Sequence, residues 1–117
     1  MIRLYGYNKC TTCQRAKRYL VAKGLSFDEV DITTTPPPKA LLRSILQSGR
    51  YPLKNLFNRS GQRYRALNIK QKLRTMSEAQ ALDLLAREGK LLKRPVITDG
   101  KKSTVGFDEA EFRKIWV

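Results

Sequence analysis

The first 32 residues of the chain combine two kinds of hydrophobic pattern. Residues 2–5 form a short apolar run and residues 26–32 alternate between apolar and polar side chains, so both are predicted to be strands. Between them, residues 11–23 follow a helical period, and Gly24 is the predicted stop. The apolar face of this helix contains Cys13, Ala16 and Leu20. A β-α-β order favours parallel strands with a right-handed crossover.

A second predicted helix follows a run of prolines. Thr35 is expected to cap this helix, with one of the prolines at residues 36–38 in its first turn, where a missing N–H costs nothing. Gly49 is expected to end it. The stripe predicted to be buried contains Leu41, Leu42, Ile45 and Leu46.

The helical pattern continues to Gly89. Residues 53–58 and 65–74 are predicted to be short helical pieces around a turn at residues 60–61. Residues 77–80 have the pattern of a capping box, which starts another helix. The residues that this helix is expected to bury are Ala81, Leu82, Leu84 and Leu85.

The period changes again near the end of the chain. Residues 95–98 and 104–107 are predicted to form a β-hairpin around a turn at Asp99-Gly100. Asp108 and Glu111 have the pattern of a second capping box. The apolar residues of the helix that follows are Phe112, Ile115 and Trp116.

The order of these elements predicts an α/β fold. A β-α-β half and a β-β-α half form a thioredoxin-like core, with an all-helical insert between them at about residues 36–90. The length of 117 residues suits one domain over residues 1–117. No stretch approaches the roughly 20 apolar residues of a membrane span, and Met1 leads into a strand rather than a signal peptide. We therefore expect a cytoplasmic protein with no membrane partner.

The charge is strongly positive and unevenly distributed. The net charge is +14, and residues 1–27 and 32–77 contain no Asp or Glu. Such a surface attracts anions, for example oxyanions, glutathione, nucleic acid or an acidic protein, although it also fits a solvated face that maintains solubility. The chain has no histidine and only two cysteines, so no metal site is expected.

The two cysteines carry the clearest chemical signal. Cys10 and Cys13 form a C-x-x-C after a strand and at the start of a helix, where unpaired N–H groups stabilise an anion. Lys9 and Arg15 are close in sequence and add positive charge. We therefore predict Cys10 as the nucleophilic thiolate and Cys13 as the resolving thiol. The alternative is that both are small buried hydrophobic residues.

A second predicted site lies at Arg94-Pro95, where a predicted strand begins. A cis peptide bond here would bring the Arg94 backbone against the cysteine pair, and the Arg94 side chain could bind an anion beside Cys10. From these residues alone, an exposed arginine next to Lys93 is the simpler interpretation.

Several tyrosines are interleaved with basic residues. They could form a stacking surface for nucleic acid, but half-buried core positions are the favoured interpretation. These residues are Tyr5, Tyr7, Tyr51 and Tyr64. The chain has no recognisable nucleic-acid motif, P-loop or Gly-rich nucleotide loop.

Taken together, these blocks resemble the ArsC/Spx family of thioredoxin-fold proteins, and in particular its small YusI-type members. The matching segments span nearly the whole chain and are residues 4–17, 53–61, 64–65, 93–96 and 105–107. The resemblance implies a cis Arg94-Pro95 peptide beside the active cysteine. It also implies the helical insert that the pattern predicts.

Two branches of the family that the chain resembles have better-known activities. In its arsenate reductases the active loop is Cys-Gly-Thr-Ser-Arg, which Cys10 and Thr12 match while Cys13 and Gln14 depart from it. Of the three arginines that hold the oxyanion there, Arg94 matches one. A second position falls near residues 54–55, and the last hairpin offers no arginine for the third.

Spx-type regulators use the same C-x-x-C as a redox switch and bind the C-terminal domain of the RNA polymerase α-subunit. The cysteine pair, Arg94-Pro95 and residues 105–107 match this branch. The glycine of its polymerase contact falls near Tyr51-Pro52, and the chain stops at Val117, where Spx has a tail.

The main functional hypothesis is a monomeric thiol–disulfide oxidoreductase of the ArsC/Spx family. It would hold no bound cofactor, and glutathione or thioredoxin would be its reductant. Anion or substrate binding is assigned to Lys9, Thr12, Arg15, Arg94 and Pro95. The first alternative is an Spx-like regulator that binds RNA polymerase, and the second is an arsenate reductase.

Overall fold

The computed structural model describes residues 1–116, and the chain divides into two compact units. Met1–Ile32 and the chain from Arg94 onwards form the core unit, while Thr33–Lys93 form the insert unit. The insert predicted at about residues 36–90 lies within the insert unit. No helix in the described part of the chain is long and apolar enough to cross a membrane.

The elements alternate as an α/β protein. In chain order they are β1 (Ile2–Gly6), α1 (Thr11–Ala22), β2 (Phe27–Asp31), α2 (Lys39–Gln47), α3 (Gln62–Ala66), α4 (Ile69–Lys72), α5 (Glu78–Arg87), β3 (Val96–Thr98), β4 (Ser103–Val105) and α6 (Glu109–Ile115). Leu53–Leu56 and Gly89–Leu91 are short 3₁₀ helices.

All four strands belong to the core unit and form one sheet in the order β2-β1-β3-β4. β1 pairs with β2 in parallel, and the β1–β3 and β3–β4 pairs are antiparallel. This β-α-β and β-β-α arrangement is thioredoxin-like, so the predicted fold class is confirmed.

The hydrophobic core of the core unit lies where the sheet meets α1 and α6. Its fully buried members are Leu4, Ala16, Leu20, Ile97, Phe112 and Trp116. The indole Nε1–H of Trp116 donates to the Thr104 hydroxyl at 3.0 Å, so this buried polar pair is satisfied. The predicted cap of the last helix is present, since the Asp108 carboxylate accepts from the Glu111 N–H at 3.1 Å.

The insert unit is held by helix packing and by one short bridge. α2 packs against α5, which begins at the predicted capping box, where Ser77 and Gln80 satisfy each other's backbone N–H groups. Phe57 and Leu92 form an isolated antiparallel bridge. Leu84 is only half-buried, as are Leu41 and Leu46 of the predicted α2 stripe, so burial at these three positions is less complete than predicted.

Two local predictions for the insert unit are wrong, each for a backbone reason. α2 begins at Lys39 and its N-cap is the extended Pro38 rather than Thr35, because a proline pushes the residue before it out of the helical region. The helical piece predicted at residues 65–74 is instead two helices, α3 and α4. They are separated by Asn68, which has a left-handed backbone with φ of 54°.

The predicted hairpin is present with slightly shifted strands. The predicted strands, 95–98 and 104–107, leave five residues between them, and β3 and β4 leave four, 99–102. The Asp99 carboxylate accepts from the N–H groups of Lys101 and Lys102, at 2.9 and 2.8 Å. These two hydrogen bonds close the loop around the predicted turn residues. β4 ends at Val105, since Gly106 has a φ of +78°.

Candidate active site

Cys10 occupies the N-cap of α1. Its backbone is extended, with φ of −89° and ψ of 116°, and its N–H donates to the Tyr7 carbonyl at 3.0 Å. The N–H of Cys13 donates to the Cys10 Sγ at 3.2 Å, so the sulfur takes the place of a capping oxygen. A sulfur in this position faces the positive end of the α1 dipole, where unpaired N–H groups can contact an anion.

Cys13 lies one turn further along α1 and is fully buried. Burial raises the pKa of the Cys13 thiol to about 12, and the hydrogen bond and charge of the Cys10 sulfur act in the same direction. A hydrogen bond from the Tyr7 backbone and the Arg94 guanidinium oppose this rise. Both cysteines are free thiols, and Cys10 is the more exposed of the two. The pair thus consists of an accessible sulfur and a protonated one behind it.

Arg94 and Pro95 precede β3. Their peptide bond is cis, as the family resemblance implies, and Pro95 is buried with its carbonyl accepting from the Gly106 N–H at 2.9 Å. The Arg94 guanidinium lies over the Tyr7 ring, 5.5 Å from its centroid. Since the Tyr7 carbonyl also accepts from the Cys10 N–H, the arginine is held next to the loop that carries Cys10.

The remaining predicted binding residues are less closely gathered. Arg15 is exposed, and its guanidinium lies 5.1 Å from the centroid of the Phe107 ring. Lys9 is also exposed and Thr12 is half-buried in the first turn of α1. Of the predicted set, the structure therefore brings Cys10, Cys13 and Arg94 together most directly.

Comparison with known proteins identifies the family. The family model described as "ArsC family" matches residues 5–115. The chain belongs to the ArsC family. A relative described as the uncharacterised protein YusI of Bacillus subtilis (strain 168) is 46% identical over 112 residues, which cover 96% of this chain and 95% of that protein. The global transcriptional regulator Spx of Streptococcus pyogenes serotype M1 is 31% identical, covering 97% of this chain and 83% of Spx.

Solved structures of ArsC-like proteins share the fold. One is described as a possible arsenate reductase from Streptococcus mutans UA159, with a TM-score of 0.90, 39% identity and coverage of 100% of this chain and 98% of that one. Another is an ArsC family related protein from Bacteroides fragilis, with a TM-score of 0.89, 36% identity and coverage of 97% and 96%.

Three residues that support this ArsC-family site are absent from the set that the sequence predicts. A Cβ on Gly6 would come within 2.8 Å of Leu4 Cδ2 and 3.3 Å of the Cys13 sulfur, so a side chain here would crowd both groups. Gln14 donates to the Asn8 carbonyl at 3.0 Å and braces the loop before Cys10. Tyr7 supports Arg94. Of these three residues, only Gly6 could have been singled out from the sequence, because a glycine at the end of a strand often marks a close approach by another group.

Two of the tyrosines that are interleaved with basic residues lie in the core. Tyr5 and Tyr64 are buried, as the core interpretation of the tyrosines predicts.

The described residues offer no metal site. Within residues 1–116 no group of three or more His, Cys, Asp or Glu side chains could hold a metal ion. The chemistry that the described site offers is that of the two thiols and the cations beside them.

Proposed function

We propose that this ArsC-family protein is a thiol–disulfide oxidoreductase in which Cys10 attacks and Cys13 resolves. The observation that carries the proposal is the contrast between the two thiols. Cys10 caps α1 with its sulfur, and Cys13 is buried one turn behind it with a pKa of about 12. Such a pair reacts in a fixed order, because the accessible sulfur meets the substrate first.

In the first step the Cys10 thiolate attacks one sulfur of a substrate disulfide. A new S–S bond forms between Cys10 and that sulfur, the substrate S–S bond breaks, and the other half leaves as a thiolate. The N-cap hydrogen bond from the Cys13 N–H holds the Cys10 sulfur at the start of α1 before this attack.

In the second step Cys13 attacks Cys10. Its proton passes to solvent, a Cys10–Cys13 disulfide forms, and the remaining half of the substrate leaves as a thiolate, so two electrons have passed to the substrate. Once Cys10 is in the mixed disulfide, its sulfur is no longer charged. Two of the effects that raise the Cys13 pKa are then lost, and the resolving thiol becomes easier to deprotonate.

The reductant that we propose is glutathione, with thioredoxin as the protein alternative. Two glutathione thiols would reduce the Cys10–Cys13 disulfide, giving glutathione disulfide and the starting thiols. The Arg94 guanidinium beside the nucleophile loop suits a carboxylate of glutathione. This cycle requires a reducing compartment, which is why we place the protein in the cytoplasm.

The test is turnover of a mixed disulfide between glutathione and a small thiol, with excess glutathione as reductant. The wild type is expected to turn over, Cys10→Ser to lose turnover by at least about a hundredfold, and the exposed control Lys101→Gln to retain it. Full turnover in Cys10→Ser would exclude the assigned nucleophile.

A second candidate function is a redox-switched regulator that binds the α-subunit of RNA polymerase. Two regulators favour it, the global transcriptional regulator Spx at 31% identity and the regulatory protein MgsR of Bacillus subtilis at 30%. A switch would need only a change in partner affinity when Cys10 and Cys13 join. The oxidised protein should then capture the purified C-terminal domain of the polymerase α-subunit. Such capture, together with no turnover, would favour this function.

Arsenate reduction is the third candidate, because the Streptococcus mutans neighbour is described in those terms. Of the three arginines that hold the oxyanion in the arsenate reductases, this chain matches only one, Arg94. We therefore expect little arsenate reductase activity. Arsenate-dependent oxidation of glutathione at a rate above the Cys10→Ser background would establish it.

A further inference from the structure

The insert unit contains a cleft that the proposed thiol chemistry does not use. It has a volume of about 690 Å³. Its lining residues are Lys54, Arg59, Ser60, Tyr64, Lys70, Leu73 and Arg74. This size falls within the roughly 300–1,000 Å³ of pockets for small organic ligands and exceeds what one phosphate ion fills.

Positive charge is concentrated in the insert unit. Residues 33–93 contain thirteen Lys and Arg against three Asp and Glu, so they carry most of the net charge of +14. Two of these three carboxylates are already paired, Asp83 with Lys39 and Glu88 with Arg63. Among the described residues, no carboxylate pairs with the four cations of the cleft. Their mutual repulsion would be relieved by an anion with several charges.

One wall of the cleft is a tight turn. The Gly61 N–H donates to the Asn58 carbonyl at 3.1 Å, and the Ser60 hydroxyl donates to the Asn58 side-chain oxygen at 3.2 Å. A Cβ on Gly61 would come within 2.8 Å of the Asn58 side chain. Arg65 donates to the Ser60 carbonyl at 3.2 Å. These contacts fix the backbone of the turn that carries Arg59 and Ser60.

The opposite wall comes from α4 and the residues after it. The left-handed Asn68 turns the chain between α3 and α4, which sets Lys70, Leu73 and Arg74 on the cleft. Tyr64 is buried against the Phe57 ring, with the ring centroids 6.1 Å apart. Together with Leu73 it supplies an apolar surface between the cations, suited to a ring rather than to a charge.

We propose that this cleft binds a nucleoside di- or triphosphate. The phosphates would contact Arg59, Lys70 and Arg74, and the base or ribose would lie against Tyr64 and Leu73. A bare phosphate would leave the apolar surface and much of the volume unused. A nucleic-acid strand would also engage the other exposed cations of the insert unit, and the test below distinguishes it from a small ligand.

The experiment is isothermal titration calorimetry of the full chain, kept reduced, with ADP, pyrophosphate and adenosine as separate probes. The test variant combines Arg59→Gln with Lys70→Gln. The control combines Lys72→Gln with Lys90→Gln, which removes the same charge from exposed positions of the insert unit that do not line the cleft.

ADP is expected to bind the wild type more tightly than either pyrophosphate or adenosine. The test variant should weaken ADP binding about tenfold or more, since charge-assisted hydrogen bonds are lost, and the control less than about threefold. Equal weakening in both variants would overturn the site, as would no ADP binding at millimolar concentration. Pyrophosphate binding as tightly as ADP would overturn the nucleoside part. Binding of a 12-nucleotide single strand in place of ADP would overturn the assignment to a small ligand.

Discussion

The Cys13 N–H donates to the Cys10 sulfur at 3.2 Å, while the Cys13 thiol itself is fully buried. Two residues of one chemical type, one helical turn apart, therefore have opposite environments. The Cys10 sulfur caps the start of α1 and is partly exposed, whereas burial raises the pKa of the Cys13 thiol to about 12. The order of attack and resolution that we propose rests on this difference, and so do the first predictions below.

Removal of the resolving thiol should trap the intermediate. In Cys13→Ser the Cys10 sulfur can still form a mixed disulfide, but no intramolecular thiol can release it. Incubation with glutathione disulfide should leave one glutathione on Cys10 for most of the protein, as measured by intact mass. Cys10→Ser is the matched control, and an adduct on its buried Cys13 at the same rate would show that the roles are reversed.

Arg94 should distinguish charged from neutral substrates. In Arg94→Gln the KM for glutathione disulfide should rise about tenfold, because a charge-assisted contact with a carboxylate is lost. The KM for the neutral 2-hydroxyethyl disulfide should change less than about twofold. The neighbouring exposed Lys93→Gln removes the same charge, and a similar KM rise in this control would attribute the effect to general electrostatics.

The buried Cys13 thiol should make stability depend on pH. Its pKa is about 12 in the folded chain and near 9.0 in the unfolded chain. Between these values the unfolded state has lost the proton and the folded state keeps it, so stability falls as pH rises, by about 1.4 kcal/mol per pH unit for this group.

Urea unfolding of the reduced protein from pH 8 to 11 measures this dependence. Cys13→Ala should show a shallower decline than the wild type above pH 9. Below that pH the difference between the two proteins should be constant. Parallel curves over the whole range would mean that Cys13 titrates alike in both states.

Gly6 should tolerate no side chain. The Cβ of Gly6→Ala would meet Leu4 Cδ2 at 2.8 Å, and Leu4 is itself fully buried and has little room to move. We expect a loss of about 1–3 kcal/mol in the free energy of unfolding, measured in urea. The exposed Lys101→Ala should change it by less than about 0.5 kcal/mol. A Gly6→Ala protein as stable as the wild type would show that the strand end can relax.

Much of the fold could be predicted because short stretches of sequence determine most of its helices and strands. The capping boxes, the strand alternation and the period changes all depend on residues close in sequence. The predictions were wrong where the same local sequence is compatible with two backbone conformations. Prolines 36–38 could start a helix or hold the chain extended until Lys39. Asn68 gave no sequence signal beyond the tolerance of asparagine for a positive φ.

The candidate site also has a part that the sequence predicts and a part that it does not. The spacing of Cys10 and Cys13 at a helix start predicts their relation, since one helical turn separates them. The stacking of Arg94 on Tyr7 joins two distant parts of the chain, and only the sheet pairing of β1 with β3 brings them near. No local pattern contains that contact. The cis Arg94-Pro95 peptide is predictable from family resemblance alone.

The measurement that tests the central claim most directly is a redox titration of the Cys10/Cys13 pair. The protein is equilibrated in buffers of varied glutathione to glutathione disulfide ratio, and the free thiols are counted by mass after alkylation. We predict a reversible loss of both thiols together at a defined ratio, with no such transition in Cys10→Ser or Cys13→Ser. Two thiols that persist at every ratio would contradict the proposed redox pair.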